Sequence, residues 1–420
     1  MTQRNAIPIL GQRPPSRVHP LAGMPPDPAS PVRSLYIHVP FCYHKCHYCD
    51  FYSIVDTRDR QAPFVDRLLE ELRALAPFAG GQPLDTIFVG GGTPTLLRPD
   101  LWERLLTELA RCFDLSVILG ARGEFTVECN PETATAELMA ILRAGGVSRV
   151  SLGAQSFEAR HLKTLERWHD PENVQRAIAL SRGAGIARQS LDLIYAVPGQ
   201  TLEEWDRDLA CAISMGTEHM SCYALTYEPN TAMTARLRRG EFAPAVEDLE
   251  AEMFLHTVAK LRSAGLDRYE VSNFAKPGAE CRHNLAYWRQ HDWLAAGPSA
   301  SGHVAGWRWK NIPRLDDYLH GATPWSPVMD VEEPDPGRAI VERVMTGLRL
   351  AEGLDADEVC TRADAISARA RDRLGLLAHR LVAEGMLQGP ADHRWVLTDD
   401  GFLVADRLVV RFMDALDDTG

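Results

Sequence analysis

Short apolar runs alternate with amphipathic stretches of helical period, and this alternation limits the possible fold more than any other feature. The apolar runs, which are typical of buried strands, are Leu35–Val39, Thr86–Val89, Phe125–Cys129, Arg149–Gly153, Leu191–Ala196 and Met220–Leu225. The helical stretches are Phe64–Leu75, Leu101–Cys112, Ala136–Ala144, Val174–Gly183, Leu202–Ile213 and Glu247–Ala264. Strands that alternate with helices form βα units around a parallel sheet. These units are fewer than in a complete TIM barrel, so the pattern predicts an α/β fold with a partial (β/α)6 barrel. A doubly wound open sheet is the alternative.

The chain has 420 residues, which is longer than a typical single domain, and its composition changes along its length. Residues 1–32 are rich in Pro and Arg and show no hydrophobic period, so they are predicted to be a disordered leader. The barrel is assigned to residues 33–270. A connecting region rich in Trp, His and Gly follows at 271–335, and residues 336–420 are predicted to form a mostly helical, winged-helix-like domain.

Charge and hydropathy restrict the location and the partners. The net charge of −12 argues against a surface built mainly for nucleic acid or anionic lipid. The C-terminal domain mixes Arg with acidic residues such as Asp399 and Asp400, so we expect it to cap the barrel or dock a protein. No segment has the ~20 apolar residues that a membrane span needs, and the apolar run Ala6–Leu10 is too short for a signal peptide. The sequence therefore predicts a cytoplasmic protein.

Three cysteines, Cys42, Cys46 and Cys49, follow the first predicted strand in a CX3CX2C pattern. Loops after the carboxyl ends of the strands build the active site of a βα barrel. Fe–S clusters are usually held by four Cys, so three thiolates hold a [4Fe-4S] cubane and leave its fourth iron open. A zinc site favours four ligands in CxxC pairs, and a disulfide framework does not suit an odd triad in a cytoplasmic chain. The triad therefore predicts a cluster with one open position.

A glycine run, Gly90–Gly92, continues into Thr93-Pro94-Thr95 after the second predicted strand. Glycines let the backbone approach a ligand closely. The run lacks the Gly-Lys-Ser/Thr ending of a Walker A loop, so it does not predict nucleotide triphosphate binding. Taken alone, it is also compatible with an ordinary βα turn.

With this triad and this loop, the chain from about Ser34 onward resembles the radical S-adenosylmethionine (SAM) proteins. It is most similar to the branch that contains oxygen-independent coproporphyrinogen III oxidase and related haem chaperones. The resemblance implies that the open iron binds the amino and carboxylate groups of SAM, and that one-electron reduction yields a 5′-deoxyadenosyl radical. It also implies a set of SAM contacts: Tyr36, Tyr48, Gly91, Gly92, Thr93, Glu128, Gln155, Arg167 and Asp192. Taken alone, Glu128, Gln155 and Asp192 also fit core or cap roles, and Arg167 also fits a charge on a helix surface.

Two segments place the chain nearer to the chaperones than to the oxidase. Asp50-Phe51 follows the third cysteine, as in the chaperone branch, whereas the oxidase has Gly and then Cys there. The segment from His283 to Trp288 is similar to the motif linked with haem binding in that branch, which implies that His283 is a haem ligand. An isolated His among aromatic residues is more often structural. Ser301 stands where the branch commonly has a His, with His303 two residues later.

The resemblance implies a haem chaperone that binds haem, a [4Fe-4S] cluster and SAM, and that transfers haem to an acceptor protein. It also implies an electron donor for the cluster. The alternative is an oxidase of porphyrin biosynthesis that decarboxylates coproporphyrinogen III to protoporphyrinogen IX. Radical opening or methylation of haem is a weaker third possibility.

Overall fold

The computed structural model describes residues 18–27, 29–365, 369–389 and 393–416, so residues 1–17 of the predicted leader lie outside the described residues. The strands are β1 Ser34–Val39, β2 Thr86–Gly91, β3 Glu124–Cys129, β4 Arg149–Gln155, β5 Arg188–Tyr195, β6 His219–Ala224, β7 Asp267–Arg268, β8 Asn273–Ala275, β9 Leu294–Ala296, β10 Ser301–Val304, β11 Trp307–Asn311, β12 Val328–Glu332, β13 Leu354–Asp355 and β14 Arg394–Trp395. The helices are α1 Gln61–Leu75, α2 Pro99–Cys112, α3 Ser116–Leu119, α4 Ala136–Ala144, α5 Ala159–Leu165, α6 Glu172–Gly183, α7 Leu202–Ser214, α8 Ala232–Arg238, α9 Glu247–Ser263, α10 Arg282–Trp288, α11 Leu315–Leu319, α12 Pro336–Gly347, α13 Ala356–Asp364, α14 Ala370–Ala383, α15 Asp399–Leu403 and α16 Ala405–Leu416.

The main sheet runs in the order β7-β8-β6-β5-β4-β3-β2-β1-β9. Strands β1 to β6 are parallel neighbours in sequence order, and helices fill the connections between them. A doubly wound sheet would reverse direction at a switch point, and this order has no such reversal. The predicted partial barrel is therefore confirmed.

The sheet is larger than the sequence pattern predicts, because the antiparallel strands β8 and β7 extend it beyond β6, and β9 adds a further parallel strand beside β1. This strand has only the three residues Leu294–Ala296, too few for a period to be recognised. It lies inside the predicted connecting region, which also contains the antiparallel sheet β10-β11-β12. The barrel sheet thus continues beyond the predicted boundary at residue 270.

The described end of the predicted leader differs from the disorder expected there. Residues Pro20–Gly23 form a 3-10 turn, and Leu21 is buried. The ring of His19 lies 4.8 Å from Trp309 and 4.9 Å from Trp325. Aromatic contacts with distant residues hold this segment, and a local sequence pattern cannot reveal them.

Side chains on the barrel strands alternate between two environments. On β3, Phe125 and Val127 are buried in the hydrophobic core under the helices. Between them in the sequence, Thr126 and Glu128 face an internal cavity, and the other strands follow the same alternation. One face of each of the strands β1 to β6 therefore points into one lumen, which we call the barrel lumen, and most of the side chains on these faces are polar.

Helices α12 to α16 form the C-terminal domain together with an antiparallel ribbon of β13 and β14. Its core includes Val344, Leu374, Trp395 and Phe412. This arrangement agrees with the predicted mostly helical C-terminal region, and its winged-helix-like character stays a prediction. None of the described helices is long and apolar enough to span a bilayer.

Candidate functional site

The barrel lumen is a cavity of about 520 Å³ that extends along the inner faces of β1 to β6. Its mouth lies at the carboxyl ends of the strands, where Asp50 and Phe51 of the cysteine loop line it. Its floor lies at the amino ends of the strands, where Arg149 lines it together with His283 and Tyr287 of α10. The lumen is therefore open beside the cysteines and closed by the short helix α10.

The cysteine loop lies at the mouth, directly after β1. Cys42, Cys46 and Cys49 are partly buried and make no disulfide. The Cys42 Sγ is 3.6 Å from the Thr93 hydroxyl, and Arg167 donates from Nη1 to the Cys46 Sγ at 3.7 Å. The loop is thus tied to the glycine run on one side and to the segment after α5 on the other.

Burial raises the pKa of Cys42, and it raises the pKa of Cys49 to about 12. These thiols are neutral without a cation beside them, and a bound metal displaces such protons. Among the described residues, no three Cys, His, Asp or Glu side chains converge as a ligand set for a single metal ion. Thiols spread along one loop fit the separate irons of a cubane better than they fit one zinc ion.

The glycine run forms a close-packed wall beside this loop. Gly91 has a φ of +106°, and a Cβ there would lie 2.5 Å from the His38 ring. A Cβ on Gly92 would lie 2.7 Å from the carbonyl oxygen of Phe41. The Gly91 N–H donates to Glu128 Oε2 at 3.0 Å. Only glycine allows β1, β2 and Glu128 to approach this closely.

The carboxyl groups of Glu128 and Asp192 both lie inside the lumen. Burial and the nearby Asp192 raise the pKa of Glu128 to about 7, and burial raises the pKa of Asp192 to about 6. The Ser151 hydroxyl donates to both oxygens of Asp192 at 3.2 Å. Two carboxyl groups with raised pKa values favour a cationic ligand, because a positive charge between them restores their ionised forms.

The structure brings only some of the predicted SAM contacts to the lumen wall: Tyr36, Glu128 and Asp192 line the cavity. Gly91, Gly92 and Thr93 form the adjoining glycine wall. Gln155, the last residue of β4, has a φ of +64°, and the Arg167 Nη2 donates to the nearby Gly153 carbonyl at 2.9 Å.

Tyr48 differs from the other predicted contacts in its surroundings. It does not line the lumen, and it packs on a small apolar cluster that includes Leu165, Ile194 and Met233. The predicted role of Tyr48 at adenine stays a prediction.

His283 lies on the floor of the lumen and is fully buried. Its Nδ1 is 2.8 Å from the Thr86 hydroxyl, and its Nε2 is 2.8 Å from the Tyr287 hydroxyl. Its ring stacks on Phe88 with centroids 5.4 Å apart. Burial lowers the pKa of His283 to about 4, so the imidazole is neutral. Both ring nitrogens are therefore engaged, so a metal bound by His283 would displace either the Thr86 or the Tyr287 hydroxyl.

The sequence departure at Ser301 also has a defined place. Ser301 lines the lumen, while the His303 Nδ1 lies 3.4 Å from Asp292 and its ring packs on Trp293. His303 does not line the lumen. Its position therefore gives no support to a ligand role inside the cavity.

Sequence reasoning missed several polar residues that line the lumen: His38, Arg149, Ser190, His219 and Lys310. The sequence does contain a pattern that could have revealed them, namely polar residues at every second position of the predicted strands. Glu124-x-Thr126-x-Glu128 on β3 and Arg149-x-Ser151 on β4 have this pattern. A strand of a βα barrel with polar residues at every second position faces a ligand cavity.

The fold agrees with what comparisons with known proteins show. The Radical SAM superfamily model matches residues 36–212. The chain is 38% identical over 397 residues to the haem chaperone HemW of Mycobacterium tuberculosis, covering 93% of this chain and 96% of that protein. It is 32% identical to HemW of Bacillus subtilis, covering 92% of this chain and all of that protein.

A solved structure shows the same fold. Coproporphyrinogen III oxidase (HemN) from Escherichia coli, described as a radical SAM enzyme, superposes with a TM-score of 0.77. The two share 23% identity, and the match covers 92% of this chain and 91% of that one. The matches to HemW proteins cover nearly the whole chain at more than 30% identity, so they identify the family as well as the fold. The chain belongs to the radical SAM superfamily and, within it, to the HemW family.

Proposed function

We propose that this protein binds haem and passes it to an acceptor protein, with a [4Fe-4S] cluster and SAM bound at the mouth of the lumen. The observation that carries this proposal is the 38% identity to a haem chaperone over 93% of the chain. Asp50 and Phe51 at the mouth support it, because they replace the Gly and Cys that the resemblance implies for the oxidase.

The cluster is assigned to Cys42, Cys46 and Cys49. Bound there, the cluster and SAM supply a one-electron route to a 5′-deoxyadenosyl radical. The Arg167 guanidinium beside Cys46 stabilises the negative charge of the thiolate ligands, since its Nη1 already contacts that sulfur. Its Nε has no hydrogen-bond partner, which leaves a donor available to a ligand.

SAM is assigned to the mouth and upper wall of the lumen, next to Gly91 and Gly92. The carboxyl groups of Glu128 and Asp192 attract its positive charge, and Tyr36 provides an aromatic wall between them and the floor. We assign Gln155, Thr93 and Tyr48 to the same site on the basis of the resemblance.

Haem is assigned to His283 on the lumen floor. The neutral imidazole is the form that coordinates iron, and Tyr36, Phe88 and Tyr287 surround it with aromatic surface. Haem and its acceptor meet in the cytoplasm in this proposal. The nine cysteines, all of them unpaired, fit that reducing compartment.

Haem titration of the anaerobic, cluster-reconstituted protein tests this assignment. His283→Ala removes the proposed ligand, and His303→Ala is the control because that side chain lies outside the lumen. We expect His283→Ala to lose the haem absorbance of the parent protein and His303→Ala to keep it. Full stoichiometric haem binding by His283→Ala contradicts the assignment.

A further inference from the structure

The floor of the lumen contains a guanidinium whose hydrogen bonds are incomplete. Arg149 is only 1% exposed and lines the cavity. Its Nη2 donates to the carbonyl oxygens of Ala279 at 2.8 Å and Glu280 at 3.1 Å, and lies 3.2 Å from Glu124 Oε2. Its Nε and Nη1 have no hydrogen-bond partner among the described residues. The ion pair with Glu124 therefore accounts for only one end of the guanidinium.

A second unpartnered group lies next to this guanidinium. Thr126 on β3 pairs in register with Arg149 on β4, and both side chains line the lumen. The Thr126 hydroxyl is also buried, and no group in the described part of the chain hydrogen-bonds to it. Buried polar groups in folded proteins nearly always have partners, so two adjacent exceptions on one cavity wall point to a ligand. Guanidinium N–H groups beside a hydroxyl suit a carboxylate.

Glu124 links the Arg149 guanidinium to the proposed haem ligand His283. Its Oε2 is the atom beside Arg149, and its Oε1 accepts from the His283 backbone N–H at 3.3 Å. Arg149 and His283 therefore contact the same carboxylate. Arg149, Thr126 and His283 line the same cavity, so a haem held by His283 would have these unpartnered groups within the same lumen. The charged groups that haem would present to them are its propionates.

We propose that Arg149, assisted by Thr126, binds a propionate group of haem on the lumen floor. This inference rests on the proposed haem binding and makes it specific. It predicts that the protein recognises tetrapyrroles with free carboxylates. A purely structural Arg149 would hold Glu124 and the carbonyl groups before α10, and would be indifferent to the charge of the ligand.

The decisive experiment needs no variant. The cluster-reconstituted protein is titrated anaerobically with haem and with haem dimethyl ester, whose propionates carry no charge. Loss of one charge-assisted interaction weakens binding by about tenfold to a hundredfold, so we expect the ester to bind weaker by that factor. Equal affinity for the two compounds overturns the propionate site and leaves haem binding intact. Binding of neither compound contradicts the proposed function itself.

Variants then assign the effect to Arg149. Arg149→Gln alone leaves the Glu124 carboxylate without its partner, so the double variant Arg149→Gln with Glu124→Gln is made in parallel, because it removes both charges together. Lys310→Gln is the matched control, since Lys310 is another cationic residue that lines the lumen. We expect both Arg149 variants to bind haem and its ester equally, and Lys310→Gln to keep the preference. A preference that survives in the double variant, or that Lys310→Gln abolishes, overturns the assignment.

Discussion

The Tyr287 hydroxyl lies 2.8 Å from Nε2 of His283, so the proposed haem ligand is engaged inside the protein before haem arrives. Tyr287→Phe removes this contact and keeps the aromatic ring. A typical hydrogen bond contributes about 0.5–1.5 kcal/mol, so haem affinity is expected to rise by about three- to tenfold. A haem titration followed by absorbance measures the change.

The barrel floor offers a matched control for that variant. Tyr269 places its hydroxyl 2.8 Å from Nε2 of His219, to which no haem role is assigned, and the same hydroxyl also accepts from the Cys281 N–H at 3.2 Å. Tyr269→Phe is therefore expected to leave haem affinity unchanged. If haem affinity rose equally in both variants, the rise would come from a less rigid floor and not from loss of the contact between Tyr287 and His283.

Binding of SAM is expected to depend on pH through Glu128. In the free protein the pKa of Glu128 is raised to about 7, and a cationic ligand lowers it, so binding releases a proton. The dissociation constant for SAM is therefore expected to increase as pH falls below 7, by at most about tenfold per pH unit for this group. Equilibrium binding between pH 6 and 8 measures this dependence.

Glu128→Gln is expected to weaken SAM binding and to remove most of the pH dependence, since Asp192 then titrates alone with a pKa of about 6. Glu270→Gln is the control, because burial raises the pKa of Glu270 to about 7 as well, but this residue does not line the lumen. An unchanged pH profile in Glu128→Gln would exclude Glu128 from the SAM site.

The glycine wall is expected to tolerate no side chain. Gly91→Ala combines a positive φ with a Cβ 2.5 Å from the His38 ring, and we expect it to lower the free energy of unfolding by about 2–4 kcal/mol. Gly183→Ala is the control, because a Cβ there meets nothing within 4 Å. Urea denaturation of the two variants measures the difference, and equal stability would contradict the packing described here.

The cysteine assignment predicts a selective loss of iron. Alanine in place of Cys42, Cys46 or Cys49 is expected to abolish the reconstituted cluster, because the cluster has only three protein ligands in this assignment and two are too few to hold it. Cys360→Ala is the control, since this residue is buried in α13 of the C-terminal domain. Iron and sulfide content after anaerobic reconstitution measures the outcome, and a full cluster in any of the three variants would exclude that cysteine as a ligand.

Much of this barrel follows from the sequence because local patterns determine it. The six main strands and their helices have periods long enough to recognise, and Cys42, Cys46 and Cys49 are adjacent in the chain. Strand β9 was missed because its three residues pair with β1 from far along the sequence. Burial of His19 likewise depends on Trp309 and Trp325, which no local pattern connects to it.

The lumen floor was the least predictable part of the site. His283 was singled out by its motif, but its partners Thr86 and Tyr287 come from β2 and from the next turn of α10. Arg149 is the first residue of a predicted strand, and its residue type alone does not indicate that its side chain faces a cavity. Only the register between Arg149 and Thr126 reveals that their unpartnered groups are neighbours.

The central claim is that the radical SAM site serves haem transfer and not porphyrin synthesis. The cluster-reconstituted protein, with SAM and a reductant, is incubated anaerobically with coproporphyrinogen III, and protoporphyrin products are followed by fluorescence. The account predicts no multiple-turnover product from protein that binds haem in a parallel titration. Protoporphyrin formed over many turnovers would contradict it and would make the protein an oxidase despite Asp50 and Phe51.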